Sequence, residues 1–243
     1  MIENSQPIIN LENISFSYPG EPLILNELDF KFHHGDRSGL IAPNGSGKTT
    51  FFHIIMGLVK PSSGKMEIFG KSVSGEEDFS NIRGRIGLLF QNADDQLFCP
   101  TVLEDVAFGP LNMGKSKEEA IEISKKILDS LGLAGFEDRI TYKLSGGEKR
   151  LVSLATVLSM KPDILLLDEP LTGLDTETRL KLIDILPDLD ISYILISHEI
   201  DFLTATTKRI YTMKDGKILI DDQAYIHQHE HVHQFGRVPH KHS

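Results

Sequence analysis

Asn10–Pro19 (NLENISFSYP) alternates apolar and polar residues, the period of a half-buried strand, and Phe30–Ala42 (FKFHHGDRSGLIA) ends in a short apolar run that also predicts a strand. Pro43–Leu58 (PNGSGKTTFFHIIMGL) then passes from a glycine loop into helical periodicity that stops near Gly57. Ser62–Lys71 (SSGKMEIFGK) has the make-up of a hairpin piece, and Arg85–Gln91 (RIGLLFQ) that of a buried strand. Ser116 and Glu119 have capping-box spacing, and Ile123, Ile127 and Leu131 recur at helical spacing as far as Gly132. Gly146–Pro162 (GGEKRLVSLATVLSMKP) predicts another helix, closed by Lys161-Pro162. Asp163–Pro170 (DILLLDEP) and Ser192–Ser197 (SYILIS) are apolar strands flanking a helix at Thr176–Leu186 (TETRLKLIDIL). Ile210–Asp222 (IYTMKDGKILIDD) predicts a hairpin with Asp215-Gly216 at its turn. Apolar strands alternating with helices imply an α/β protein with a parallel sheet covered on both faces. Residues from about 92 to 143 lack that rhythm and read as a helical insertion.

Composition narrows this picture. A chain of 243 residues can bury one large core, or one core with a small satellite. Its 40% apolar and 25% charged residues are ordinary for a globular protein, and its net charge of −10 argues against a nucleic-acid partner. The single Cys99 leaves no intrachain disulfide and fits a reducing compartment. The N-terminus has no basic stretch followed by an apolar run, so no signal peptide is expected. No stretch reaches the roughly 18–20 apolar residues that span a bilayer, so a membrane role is expected to come through partner subunits.

The strongest chemical signal is Leu40–Thr50 (LIAPNGSGKTT). Gly45 and Gly47 let the backbone turn so tightly that successive N–H groups point at one anion, and the helix that follows adds the positive end of its dipole. Lys48 supplies a point charge for β- and γ-phosphates, and Thr49 a hydroxyl for Mg²⁺. The nucleotide-binding loop is therefore Ala42, Pro43, Asn44, Gly45, Ser46, Gly47, Lys48, Thr49 and Thr50. Ala42 departs from the motif, which asks for glycine; its methyl group is tolerable unless the backbone there needs a positive φ. The plainer account, a Gly/Ser turn with an accidental lysine, does not explain the flanking strand and helix. Asp168 and Glu169 lie at the C-terminal end of an apolar strand, the edge where open α/β sheets bind ligands. Asp168 would hold Mg²⁺, and Glu169 would polarise the attacking water. A solvated turn explains the pair equally well in isolation; the lysine loop upstream favours the functional reading.

Leu144–Arg150 (LSGGEKR) resembles the signature sequence of ABC-type ATPases. Ser145 and Glu148 make an ordinary capping box, which on its own does not call for two glycines. The rest of that family's order follows along the chain. Tyr18 resembles the aromatic that stacks on adenine, Gln91 the glutamine that senses Mg²⁺ and the transmembrane partner, Asp175 in LTGLD the loop at the dimer interface, and His198 in LISHE the switch histidine at the γ-phosphate. The resemblance implies a P-loop NTPase fold of ABC type: a mainly parallel sheet core, an antiparallel β subdomain, and a helical subdomain at about 92–160, all within an ATPase domain of residues 1–225. It also implies a division of labour. One chain supplies Lys48, Thr49, Gln91, Asp168, Glu169 and His198, with Thr49, Gln91 and Asp168 toward Mg²⁺. A second ATPase chain, identical or not, supplies Ser145, Gly146 and Gly147, so that ATP closes the dimer and hydrolysis releases it.

Among ABC ATPases, three roles compete: the energy subunit of a transporter, a DNA-repair or translation factor, and a scaffold without turnover. Long coiled-coil insertions and a second ATPase domain, which mark the repair and translation groups, are not seen in the sequence, and Lys48, Glu169 and His198 oppose the scaffold. Phe90–Gly114 (FQNADDQLFCPTVLEDVAFGPLNMG) resembles the matching segment of energy-coupling-factor importer ATPases, notably the cobalt/nickel branch, although the vitamin-importing branch is similar there. Gln96, Leu97 and Phe98 are the candidate contacts with integral membrane subunits, the plainer account being that Leu97 and Phe98 are core and the acids solvated. Arg139 and Lys143 face either phosphate or solvent, which the sequence does not decide, solvated surface being the plainer reading. The resemblance places the protein peripherally at the cytoplasmic face of the membrane. Residues 226–243 form a His-rich tail with six of the ten histidines. His227, His229, His231 and His233 share one face of an extended segment and could converge on Ni²⁺ or Co²⁺, though imidazole also suits Cu²⁺ and Zn²⁺. An idle tail or a cloning remnant remains the alternative.

Overall fold

The structure, a computed structural model, describes residues 6–220. Strands β1 (Ile9–Phe16), β2 (Leu25–Phe32), β4 (Ser63–Ile68) and β5 (Lys71–Ser72) form an antiparallel sheet in the order β2-β1-β4-β5. Strands β3 (Arg37–Ile41), β6 (Ile86–Leu89), β7 (Ile164–Asp168), β8 (Ser192–Ile196), β9 (Arg209–Lys214) and β10 (Lys217–Ile220) form the second sheet, ordered β10-β9-β3-β8-β7-β6. All its pairings are parallel except the β9–β10 hairpin. The helices are α1 (Lys48–Ile55), α2 (Glu76–Ser80), α3 (Val102–Asn112), α4 (Lys117–Ser130), α5 (Gly146–Leu158), α6 (Thr176–Asp188) and α7 (Ile200–Thr206).

The apolar runs in β7 and β8 are buried on both faces, and their side chains divide by parity. Ile164, Leu166, Ile194 and Ile196 join a core shared with α1 and the antiparallel sheet. Leu165, Leu167, Tyr193 and Leu195 face a second core built with α5 and α6. A one-residue slip would exchange the two sets, so the pattern fixes register. The hairpin turn between β9 and β10 places Asp215 (φ 51°) and Gly216 (φ 74°) in left-handed geometry. A side chain at Gly216 would meet the backbone of Ile24 at 2.7 Å, so the turn seats on the start of β2.

Residues 92–160 hold α3, α4 and α5 between β6 and β7. The Ser116 cap opens α4 as expected, with Glu119 closing the box. The strand order places the C-terminal ends of β3, β7 and β8 side by side, and the loops at 42–47, 169–175 and 197–199 leave from that one edge.

Candidate nucleotide site

At that edge the chain leaves β3 through Ala42, buried in the first core. Ala42 is not among the six non-glycine described residues with positive φ, so its methyl group meets no backbone strain. Gly45 (φ 78°) and Gly47 (φ 96°) are left-handed, and Gly47 is the N-cap of α1. A Cβ at Gly47 would stand 2.7 Å from Ile24 Cγ2, so both conformation and space demand glycine there. Among the described residues, Ser46 Oγ is buried and has no hydrogen-bond partner, an orphaned hydroxyl inside the anion-binding loop.

Lys48 Nζ donates to Ala42 O at 3.2 Å, to Asn44 Oδ1 at 3.5 Å and to Glu169 Oε1 at 3.1 Å. Thr49 Oγ1 donates to Asp168 Oδ2 at 2.9 Å. His198 Nδ1 lies 3.0 Å from Glu169 Oε2, so the two oxygens of one carboxylate are divided between the lysine and the histidine. Glu169 itself has φ 45°, and its N–H donates to Ile196 O. This left-handed turn is strained by about 1 kcal/mol or more and swings the carboxylate off the strand toward Lys48. Burial raises the Asp168 carboxyl above its ordinary range, opposed by the hydrogen bond from Thr49. Hydroxyl and carboxylate side by side make an oxygen-only donor pair that suits Mg²⁺, and the buried Ser46 hydroxyl suits a phosphate oxygen. The loop also borders a cavity of about 900 Å³ between residues 21–26 and the β9–β10 turn.

The remaining residues lie around this centre. Tyr18 is partly exposed and stands edge-on to Phe16 at 4.9 Å. Gln91 is exposed at the end of β6. Ser145 caps α5: its Oγ accepts from Glu148 N at 3.3 Å, and Glu148 Oε2 accepts from Ser145 N at 2.8 Å. Gly147 is buried against the start of α6, where a Cβ would meet Thr178 Oγ1 at 2.3 Å and Asp175 Oδ2 at 3.0 Å. Asp175 caps α6 by accepting from Thr178 N and Oγ1. Among the described residues, no hydrogen bond or ion pair joins Ser145, Gly146 or Gly147 to Lys48, Thr49, Asp168 or Glu169.

One expectation changes. Gln96 does not face outward with Phe98: its amide accepts from Phe90 N at 3.2 Å and donates to Ser153 O and Thr156 Oγ1 at 2.9 and 2.8 Å, because a polar side chain next to α5 satisfies backbone groups there. Leu97 packs partly into the second core, while Phe98 is 67% exposed and meets Phe108 edge-to-face at 4.8 Å. Arg139 and Lys143 are both exposed, in keeping with the solvated-surface reading; Arg139 donates to Glu148 at 2.8 Å and lies 3.6 Å over the Phe136 ring. Sequence alone overlooked Arg150, whose guanidinium is buried and donates to the carbonyls of Phe90 and Gln91. The signal available was a cation sharing a helix face with Leu154, Val157 and Leu158. His227, His229, His231 and His233 lie outside the described residues.

The profile of the ABC transporter family matches residues 25–172, from β2 past the Asp168–Glu169 pair. The chain belongs to the ABC transporter ATP-binding family. A Nitratidesulfovibrio vulgaris protein carrying a provisional ABC transporter ATP-binding name is 49% identical over 97% of this chain and 86% of its own. The energy-coupling factor transporter ATP-binding protein EcfA of Methanothermobacter thermautotrophicus is 40% identical, covering 88% of this chain and 70% of that protein. Among solved structures, cbiO1 of Clostridium perfringens, part of the ABC transporter complex cbiONQ, is 31% identical with a TM-score of 0.79 over 89% of this chain and 88% of that one. This ABC ATPase hydrolyses ATP to drive transport; its family uses ATP and Mg²⁺ and works as dimers with membrane subunits. None of its described helices is long and apolar enough to cross a membrane.

Proposed function

We propose that this ABC ATPase powers an energy-coupling-factor importer for a transition-metal ion, nickel or cobalt, from the cytoplasmic face of the membrane. The observation that carries the catalytic reading is the shared Glu169 carboxylate, held between Lys48 and His198 beside the Thr49–Asp168 pair. In this reading the Lys48 ammonium turns from Glu169 to the β- and γ-phosphates, and Glu169, freed, orients and polarises the attacking water. His198 Nδ1 keeps its contact with Glu169 while the ring steadies the γ-phosphate. Thr49 and Asp168, with Gln91, would hold Mg²⁺, whose chemistry there would be to offset the negative charge of the phosphates. Tyr18 offers its face to adenine. Ser145, Gly146 and Gly147 complete the site of a second chain, in keeping with the lack, among the described residues, of any hydrogen bond between them and Lys48 within one chain.

The importer type is supported by the EcfA and cbiO1 relatives. The metal rests on the resemblance of Phe90–Gly114 to the cobalt/nickel branch and on the histidines at 227, 229, 231 and 233. A vitamin substrate is the competing reading, since that branch shares the same segment. Uptake of radiolabelled nickel, cobalt and candidate vitamins by proteoliposomes holding the complex that co-purifies with this chain separates them. Metal uptake that stops without ATP supports the proposal; vitamin uptake alone overturns it. A parallel Ni²⁺ and Co²⁺ titration of the full chain and of residues 1–225 tests the tail: equal binding removes it from the argument.

A further inference from the structure

The loop after β6 is bound to α5 at both ends. Gln96 ties Phe90 N to Ser153 O and Thr156 Oγ1 of α5, and Lys149 Nζ reaches Asp94 Oδ1 at 2.6 Å. Between them stands Arg150, 3% exposed, donating Nη1 to Phe90 O and Nη2 to Gln91 O. Among the described residues it has no carboxylate within ion-pair distance, and its Nε is unpartnered. A buried guanidinium with no carboxylate in contact, only the Asp168 charge acting on it from beyond ion-pair distance, is a costly filler, and an apolar side chain would occupy that space more cheaply. What the guanidinium supplies is a rigid two-pronged fork.

The two carbonyls it holds are not arbitrary. Phe90 O belongs to the peptide plane entering Gln91, and Gln91 O to the plane leaving it. With only two soft dihedrals per residue, fixing both planes that flank one Cα fixes the direction of its Cα–Cβ bond. Arg150 therefore sets where the Gln91 side chain leaves the backbone. It does so from α5, which is capped by Ser145 and opens with the two glycines.

We propose that Arg150 is a positioning residue: by gripping both peptide planes of Gln91 from the signature helix, it makes the aim of Gln91 at one ATP site follow the position of Ser145–Gly147, which face the other. The proposal rests on the reading that Gln91 acts at the Mg²⁺–nucleotide. Lysine at 150 keeps the charge and loses the fork, and a misaimed contact of this kind costs about tenfold or more in rate.

The test is a double-mutant cycle on the full chain, with ATP turnover measured against Mg²⁺ concentration for wild type, Gln91→Ala, Arg150→Lys and the double variant. Nucleotide binding in EDTA reports folding independently. The proposal expects Arg150→Lys to raise the half-saturating Mg²⁺ concentration and lower turnover about tenfold in the wild-type background, and to add less than about twofold on Gln91→Ala. An undiminished effect on Gln91→Ala overturns the proposal while leaving the Gln91 reading intact. A Gln91→Ala variant with unchanged Mg²⁺ dependence overturns that reading, and the proposal with it. If Arg150→Lys does not bind nucleotide in EDTA, Gln96→Met, which releases the same loop, takes its place in the cycle under the same criteria.

Discussion

Gly147→Ala tests whether the second signature glycine is glycine for reasons of space within one chain. The added Cβ would sit 2.3 Å from Thr178 Oγ1, about 1.1 Å inside an ordinary contact, and 3.1 Å from Thr178 Cβ. Thr178 is buried and cannot swing into solvent, and its hydroxyl donates to Asp175 at 2.9 Å. Relief must come from moving the start of α6 away from α5 or from turning the hydroxyl off its acceptor. Overpacking costs ~1–3 kcal/mol, and a contact this short belongs to the upper half of that range, ~2–3 kcal/mol; against ~1 kcal/mol that alanine gains over glycine in a helix, the net loss is about 1–2 kcal/mol. For a chain of this size that lowers the thermal midpoint by about 2–8 °C. Differential scanning fluorimetry without nucleotide reads it. Thr178→Ala removes the 2.3 Å contact and should restore most of the loss in the Gly147→Ala background. An unchanged or raised midpoint for Gly147→Ala, or a double variant no more stable than the single, refutes the reasoning.

Gly146→Ala should behave differently, because a Cβ there has nothing nearer than Gly173 O at 4.0 Å; its thermal midpoint should match or exceed wild type while ATP turnover falls at least tenfold, the methyl group obstructing an anion's approach to the helix N-terminus. Cys99 is pushed up to about 11 by burial and then by the neighbouring Asp105 carboxylate, from an ordinary 9.0. Its thiolate fraction near pH 8 is therefore smaller in the folded than in the unfolded chain, and reaction with Ellman's reagent should be about 100-fold slower before urea than after it, the gap closing as pH rises toward the folded value.

Much of the site could be read in advance because a phosphate loop leaves few choices: Gly45 and Gly47 need positive φ, and Lys48 and Thr49 must open the helix. The parallel sheet was legible for a similar reason, since β7 and β8, buried on both faces, have no polar positions within their apolar runs. Other features depend on distant neighbours. Gly147 is crowded by Thr178, thirty-one residues away, which no local pattern reveals. Gln96 looks like a surface amide until α5 presents Ser153 and Thr156 to it. Arg150 passes for an exposed helix cation until its carbonyl partners at 90 and 91 are seen. The positive φ of Glu169, whose backbone N–H bonds Ile196 O and whose carboxylate lies between Lys48 and His198, has no local sequence signal.

In the proposed function each chain holds two half-sites, completed when ATP bridges two chains. Glu169→Gln tests it most directly. Glutamine retains an oxygen for Lys48 and the size of the side chain, but removes the base, so turnover should fall about 10²–10⁴-fold while ATP still binds. Light scattering of this variant with and without Mg²⁺–ATP should then show the mass doubling only when nucleotide is present. A single-chain mass under saturating Mg²⁺–ATP, with nucleotide bound, contradicts the account.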